Sequence, residues 1–266
     1  GEYKELSDRS GYKFKYVTGL TGNGTYILQT DTPSLQLMLI AHGKVLVSAL
    51  GELAIGADQT SIVQAADDFA LIYDLALHFN PNFEFGISEV FIRSRVVHLN
   101  GCGIVKNATT TQGTFNYGNK PSGIVGGCIH GGGSRISGAG FDNVVNLRLY
   151  GDHTNLTVKD LHLDESDFYG LSIGGLTSQG DKLDTFDGVT FDNIHFKSER
   201  GNIATTTEYS FGFEVFPGVV CKNFKISNCG SLGKMLNKFH SIDGLEFSNT
   251  DFAYTTTFNP LSSGYC

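Results

Sequence analysis

Between Asn155 and Cys229 apolar and polar positions alternate in a short phrase that appears three times, NLTVKDLHLD, GVTFDNIHFK and GVVCKNFKIS, followed by a looser copy, HSIDGLEFSN. Superposed, the copies read apolar, any residue, Asp/Asn/Gly, apolar, polar, apolar. The turn positions are Asp160, Asn193, Asn223 and Gly244, and the apolar pairs after them are Leu161/Leu163, Ile194/Phe196, Phe224/Ile226 and Leu245/Phe247. Alternation with a period of two marks strands with one buried face. Asn, Asp and Gly tolerate the left-handed backbone that bends one strand into the next. Repetition at a few tens of residues predicts a solenoid, in which each unit buries its apolar face by stacking on its neighbours. The pattern therefore predicts an all-β parallel β-helix, with a β-sandwich as the competing reading.

A second strand family follows the first: Tyr169-Gly-Leu-Ser-Ile, Phe211-Gly-Phe-Glu-Val and Leu232-Gly-Lys-Met-Leu. Seven residues separate Leu163 from Gly170, and seven separate Ile226 from Gly233, but Phe196 and Gly212 are 16 apart. That rung carries a nine-residue insertion within ERGNIATTTEYS, and TSQGDKLDTFD extends another corner. Insertions of this kind in solenoids gather on one face and often bind ligands. GIVGGCIHGGG and SRISGAGFDNVVNLRLYG supply the first rungs.

Upstream, residues 1–46 read as an N-terminal cap or linker, with an apolar run from Leu35 to Ile40, and residues 47–266 as the β-helix domain. In VSALGELAIGADQTSIVQAADD, Asp58 is a helix N-cap, and Ile62, Ala65, Ala66 and Phe69 follow helical spacing. The helix ends between Asp68 and Tyr73. Next come short strands punctuated by Asn-Pro and Gly, as in HFNPNFEFGIS and HLNGCG. Gly51, the Asp58-x-Thr60 pair, the Ala-rich helix through Ala66, the Pro/Gly-bearing strand segment and the closing Gly-x-Gly together resemble the opening of phage tailspikes and pectate-lyase-like β-helix proteins. The resemblance covers residues 47–104 by motif, and the repeats afterwards extend it through roughly residue 250 at the level of fold. It implies a right-handed parallel β-helix capped by one short N-terminal helix. It also implies a homotrimeric virion tail protein, made in the bacterial cytoplasm, that binds a bacterial surface polysaccharide such as capsule or O-antigen and in enzymatic members depolymerises it. The pectin-hydrolase relatives carry Asn-Thr-Asp, Asp-Asp, Gly-His-Gly and Arg-Ile-Lys motifs, a set this chain lacks.

Composition narrows the partners. Gly is 34 of 266 residues, Trp is absent and Phe numbers 20, which suits turn-dense β structure with aromatics inside. The net charge of −8 argues against nucleic acid or an anionic membrane as partner. No apolar run approaches the length of a membrane span. The five cysteines (102, 128, 221, 229 and 266) have no zinc-like spacing, and the sequence implies no metal and no cofactor. Reduced thiols are expected, although Cys221 and Cys229 also have a spacing that admits a disulfide.

Stacked rungs place outward side chains in ladders about 4.8 Å apart. The first ladder reads Arg148, His162, His195, Lys225, Glu246, a basic strip suited to an anionic sugar. The second reads Ser172, Glu214, Met235. Glycoside hydrolysis needs two carboxyl groups at about 5 Å or about 6.5–9.5 Å. Glu214, between Phe213 and Val215 beside the insertion, is the leading catalytic candidate, followed by Asp164 and Asp167. Arg148, His162, His195, Arg200 and Tyr209 are the candidate substrate-binding groups. A lyase would use a base and a charge-neutralising cation from His162, His195, Arg200 or Tyr209. Gly170-Leu-Ser172-Ile-Gly174 with His130-Gly-Gly-Gly imitates an esterase elbow and oxyanion hole, but the region lacks βαβ alternation. No complete catalytic motif decides between hydrolase, lyase and binding alone. A non-enzymatic adhesive segment and a free microbial polysaccharide lyase or hydrolase are the alternatives.

Overall fold

From Lys44 onward the chain winds as a coil in which each strand pairs in parallel with the equivalent strand one turn later. The computed structural model describes residues 3–5, 12–18, 22, 26–31, 35–107, 113–138, 145–165, 169–174, 184–198, 210–216, 218–233, 235–239 and 242–252. Among them, 19 strands join into one parallel sheet. The architecture is a parallel β-helix, as the alternation predicts.

Four strand columns make up the coil. In the first, Val45, Leu77, Val97, Ile129, Val158, Phe191 and Ile226 point inward in successive turns. Ile104, Ile136, Leu163 and Phe196 do so in the second. The third stacks Phe115, Leu147, Leu171 and Phe213, and the fourth His153, Phe186 and Cys221. Nearly all of these are fully buried, each contributing about 1.5–3 kcal/mol. The phenylalanines meet edge to face, Phe213 with Phe196 at 4.8 Å and with Phe191 at 5.2 Å.

Two of the corners in each turn carry stacked left-handed residues. Asn155, Gly188, Asn223 and Gly244 form the corner before the first column. Asp160, Asn193, Asn228 and Asn249 form the corner after it, all with φ between 51° and 78°. This differs from the superposition of the repeated phrases. Asn223 does not follow Asn193 in space; Ile226 pairs with Phe191, and Gly230 with His195. Both corners are built from one pattern, so the third phrase matches the first two equally well when shifted by a corner. Side chains then hold the stack: Asn193 donates to Asp160 at 2.8 Å, Asn223 to Asp187 at 2.8 Å, and Asn249 to Asn228 at 3.2 Å.

The ladders change accordingly. Lys225 leaves the His162/His195 strip and instead pairs with Thr190 and Glu246. Arg148 belongs to the third column, where Asn116, Arg148, Ser172 and Glu214 are consecutive; Met235 pairs with Ser210 rather than Glu214. The equal seven-residue steps after Leu163 and Ile226 are coincidental, because those residues are not equivalent. The Gly131–Gly133 run opposes the single residue Asp160, and a Cβ on Gly131 would lie 2.0 Å from the Asp160 carbonyl oxygen. Packing therefore accounts for the imitation oxyanion motif. His130 stands on the first column and Ser172 on the third, so the imitation elbow is not assembled.

At the N-terminal end the helix Thr60–Ile72 buries Val63, Ala66, Phe69 and Ala70. Gln59, not Asp58, occupies the cap position, and the Asp58 carboxylate accepts the Thr60 N–H at 2.8 Å from one residue further out. Strands Tyr3–Glu5, Lys13–Thr18, Leu35–Leu39 and Ile27–Gln29, in that spatial order, form an antiparallel sheet. Tyr26 from this segment packs on Phe69 at 4.9 Å, and the Tyr12 hydroxyl accepts the Leu46 N–H at 3.0 Å. Cys102, Cys128, Cys221 and Cys229 are free thiols, and burial pushes Cys102 and Cys221 up to about 12.

Two outcomes are expected. Asn193→Ala loses the amide's hydrogen bonds with Asp160 and His195 and also forces a β-carbon into the left-handed region, whereas Asn193→Gly loses only the bonds. Chemical denaturation should therefore rank wild type above Gly and Gly above Ala, with Ala lower than Gly by about 1–2 kcal/mol. His153 is stacked between Tyr117 and Phe186, and burial holds its pKa down to about 4, against an ordinary value of 6.5. Between those values the unfolded chain binds a proton that the native state refuses, so stability falls as pH drops from 6.5 towards 4. The loss from this group is on the order of 3 kcal/mol. Urea midpoints at pH 7 and 4.5 should show that loss, and His153→Gln should shrink it.

Candidate functional site

The third column combines an apolar interior with a polar line on its outer side. Each strand there is an apolar-polar-apolar triplet: Phe115-Asn116-Tyr117, Leu147-Arg148-Leu149, Leu171-Ser172-Ile173 and Phe213-Glu214-Val215. Period-two geometry turns Asn116, Arg148, Ser172 and Glu214 away from the core. They are nonetheless covered: Asn116 and Ser172 are 0% exposed, Glu214 3% and Arg148 8%. A desolvated line containing a carboxylate and a guanidinium is costly unless its groups serve one another or a ligand.

Neighbouring side chains supply part of that compensation. Asn116 donates to the Glu89 carboxylate at 3.3 Å and to the Val90 carbonyl at 3.0 Å. The buried ammonium of Lys106 donates to the Ser88 carbonyl. Burial raises the pKa of Glu89, opposed by Lys106, the Asn116 bond and Arg148. Burial likewise works against the charge of Lys106, which Glu89 favours. Further along, Tyr169 is pushed up to about 12 by burial and by the charge of Glu214, with Arg148 opposing. The phenol thus stands within the field of both an acid and a guanidinium. The Nε of Arg148 and the Oγ of Ser172 have no hydrogen-bond partner among the described residues. These two donors are aimed at the same face.

Of the residues singled out from sequence, Arg148 and Glu214 come together here, separated by Ser172 and therefore by two rung spacings, roughly 10 Å. His162 and His195 lie on the neighbouring column, exposed and stacked at 5.6 Å, with His195 Nε2 hydrogen-bonded to the Asn193 amide oxygen at 2.9 Å. Asp164 is on that column too, in an ion pair with Arg135 at 2.7 Å. Asp167, Arg200 and Tyr209 fall outside the described residues, as does most of the nine-residue insertion. Among the described residues, no group of three His, Cys, Asp or Glu side chains could hold a metal ion.

Glu89, Lys106, Asn116 and Tyr169 escape the sequence reading. The triplet pattern would have exposed Asn116, because its strand has the same form as that of Glu214. Glu89 and Lys106 sit at strand ends, where no periodicity marks them. Glu89 and Glu214 do not form a hydrolytic pair. Four rungs separate their strands, roughly 19 Å, well beyond the reach of an inverting pair. The chemistry this arrangement can perform is proton transfer by Glu214 and Tyr169, with Arg148 holding negative charge nearby.

A comparison with protein-family models finds no match, and neither does one with curated proteins. Among solved structures, a presumed glycosyl hydrolase from Parabacteroides merdae ATCC 43184 matches with a TM-score of 0.57 at 11% identity, over 80% of this chain and 99% of that one. The enzymatically active domain of bacteriophage CBA120 tailspike protein 2 matches at 13% identity and a TM-score of 0.29, over 92% of this chain and 47% of that one. ORF18 of Geobacillus virus E2 matches at 12% identity and a TM-score of 0.31, over 86% of this chain and 66% of that one. This chain thus spans about half the length of the tailspike domain. At scores near 0.3 the two phage chains carry no argument. The first match concerns the fold alone.

Proposed function

We propose that the chain is a carbohydrate-binding β-helix of the phage tailspike kind, which binds a bacterial surface polysaccharide and cleaves it at the third column. The observation that carries this reading is the buried line of Arg148, Ser172 and Glu214 with Tyr169 beside it. One of Glu214 and Tyr169 takes the proton from the carbon beside the sugar's carboxylate, and a carbon–carbon double bond forms as the bond to the glycosidic oxygen breaks. The other protonates the leaving oxygen, and Arg148 binds the carboxylate. The resemblance of the opening segment to tailspikes supports the viral setting and a trimeric assembly. The name of the Parabacteroides chain supports a carbohydrate substrate. Asp164, paired with Arg135 on the second column, has no part in this reading.

A second reading is favoured by the burial itself: a line of side chains so thoroughly covered also suits a structural or adhesive β-helix that binds glycan without cutting it.

Incubation with capsule or lipopolysaccharide from a genuine host should release oligosaccharides, read as new reducing ends. Glu214→Gln and Tyr169→Phe should each reduce that release at least a hundredfold, the range expected for loss of a general acid or base, while glycan binding persists. Arg148→Gln should weaken binding of acidic glycans in particular. Binding without release by the wild-type protein would remove the enzymatic part and leave the adhesive one.

A further inference from the structure

The outer face of the first column holds a feature that the proposed glycan-cleaving site does not use. In successive turns the outward position is filled by Leu46, His78, His98, His130, Lys159 and Asp192. The three imidazoles lie ring upon ring, at 4.4 Å from His78 to His98 and 4.8 Å from His98 to His130, with interplanar angles of 29° and 12°. The rings therefore stand edge-on along the strip. All three are half-buried.

Cations stand at both ends. Lys44, on the strand before His78, lowers the pKa of His78 and His98. Lys159, on the strand after His130, lowers those of His98 and His130. Arg95, whose Nε donates to the Gly126 carbonyl at 3.4 Å, adds positive charge near the middle of the strip. The acids that face it are Asp160, beside His130, and Asp192, beyond Lys159. Both are engaged, since Asp160 accepts from Asn193, and Asp192 accepts from Ser227 and Asn228. His78 Nδ1 meets the Asn100 amide nitrogen at 3.4 Å.

Beside this ladder runs a second outward line of small side chains. Cys128 pairs with Val96 on one side and with Thr157 on the other, Thr157 pairs with Thr190, and Ala76 precedes them next to Lys44. All five are half-buried and none is large. A low floor bordered by a row of stacked imidazoles is the shape needed by a chain laid along the axis, one unit per rung.

We propose that this face is a second glycan site, which binds a polyanionic polysaccharide lengthwise and takes up protons as it does so. The repeat of an extended pyranose chain is close to the rung spacing of about 4.8 Å, so successive anionic groups meet successive side chains from Lys44 to Lys159. Nucleic acid is the poorer fit, because the strip is one side chain wide and the protein as a whole carries a charge of −8.

The histidines are uncharged at neutral pH, burial being the first cause for each, with His78 held down to about 4. An anion laid across them favours the imidazolium form and raises those pKa values in the complex. Affinity must therefore increase as pH falls below neutrality, and it stops increasing only below the values of the free protein.

The test measures binding of the full chain to dextran sulfate, whose charge does not change in this range, with neutral dextran and single-stranded DNA as controls, at pH 7.5 and 5.5. Tighter binding of dextran sulfate at pH 5.5, on the order of tenfold, with a measurable uptake of protons and no binding of dextran, supports the proposal. His98→Gln should flatten the pH dependence, and Lys159→Gln should weaken binding at both pH values. His130→Gln repeats the first comparison if His98→Gln fails to give a wild-type circular dichroism spectrum. Arg148→Gln, which weakens acidic-glycan binding at the third column, should leave the pH-dependent binding of dextran sulfate intact, which separates this face from that column. Binding that is independent of pH, unchanged in both histidine variants, or equalled by DNA would overturn the proposal.

Discussion

The register between successive turns is the constraint on which everything else in the molecule rests. A parallel coil has no hairpins to set its pairing, so each strand could slide along the one beneath it. Two forces prevent this. Inward side chains such as Phe191 and Phe213 need partners at fixed heights, and the left-handed corners admit few residues other than Asn, Asp or Gly. The corner amides then bond from turn to turn, as Asn193 does to Asp160. A slip of one residue would break these bonds and turn the apolar set outwards.

Once register is fixed, outward chemistry becomes a matter of arithmetic, and the two polar ladders acquire different characters. On the third column the line from Asn116 to Glu214 is sealed from water, so its charges act at low dielectric and feel Tyr169 strongly. On the first column the histidines are only half-buried, and burial first, then the lysines at each end, holds their charge down. One scaffold thus presents a dry polar site and a wet one.

Much of the fold was legible because burial writes itself into alternation. The phrases around Leu161, Ile194 and Phe224 predicted strands that are there, and the helix ends where its pattern fades. The pairing of turns was less legible. Asn193 and Asn223 look equivalent because the same physical demand, a left-handed corner between two inward residues, arises twice in every turn. Only contact in space tells them apart, and with that contact Lys225 parts from His195 and Arg148 joins Glu214. Glu214 itself was recognisable, being a charged residue between two large apolar ones on a strand. Glu89 and Lys106 were not, since they lie at strand ends and reach the site through side-chain length rather than position.

The interchangeable corners have a consequence for how such a chain can vary. Thirty-three residues separate Asn155 from Gly188, and thirty-three also separate Asp160 from Asn193. A segment cut at either corner therefore contains one whole turn, whichever corner is chosen. Duplication or loss of such a segment by unequal recombination would leave every junction with its required conformation and its inward neighbours in place. The coil can gain or lose length by whole turns with its surface ladders growing or shrinking by one member each, so the reach of a binding strip along its polymer becomes a quantity that recombination can count.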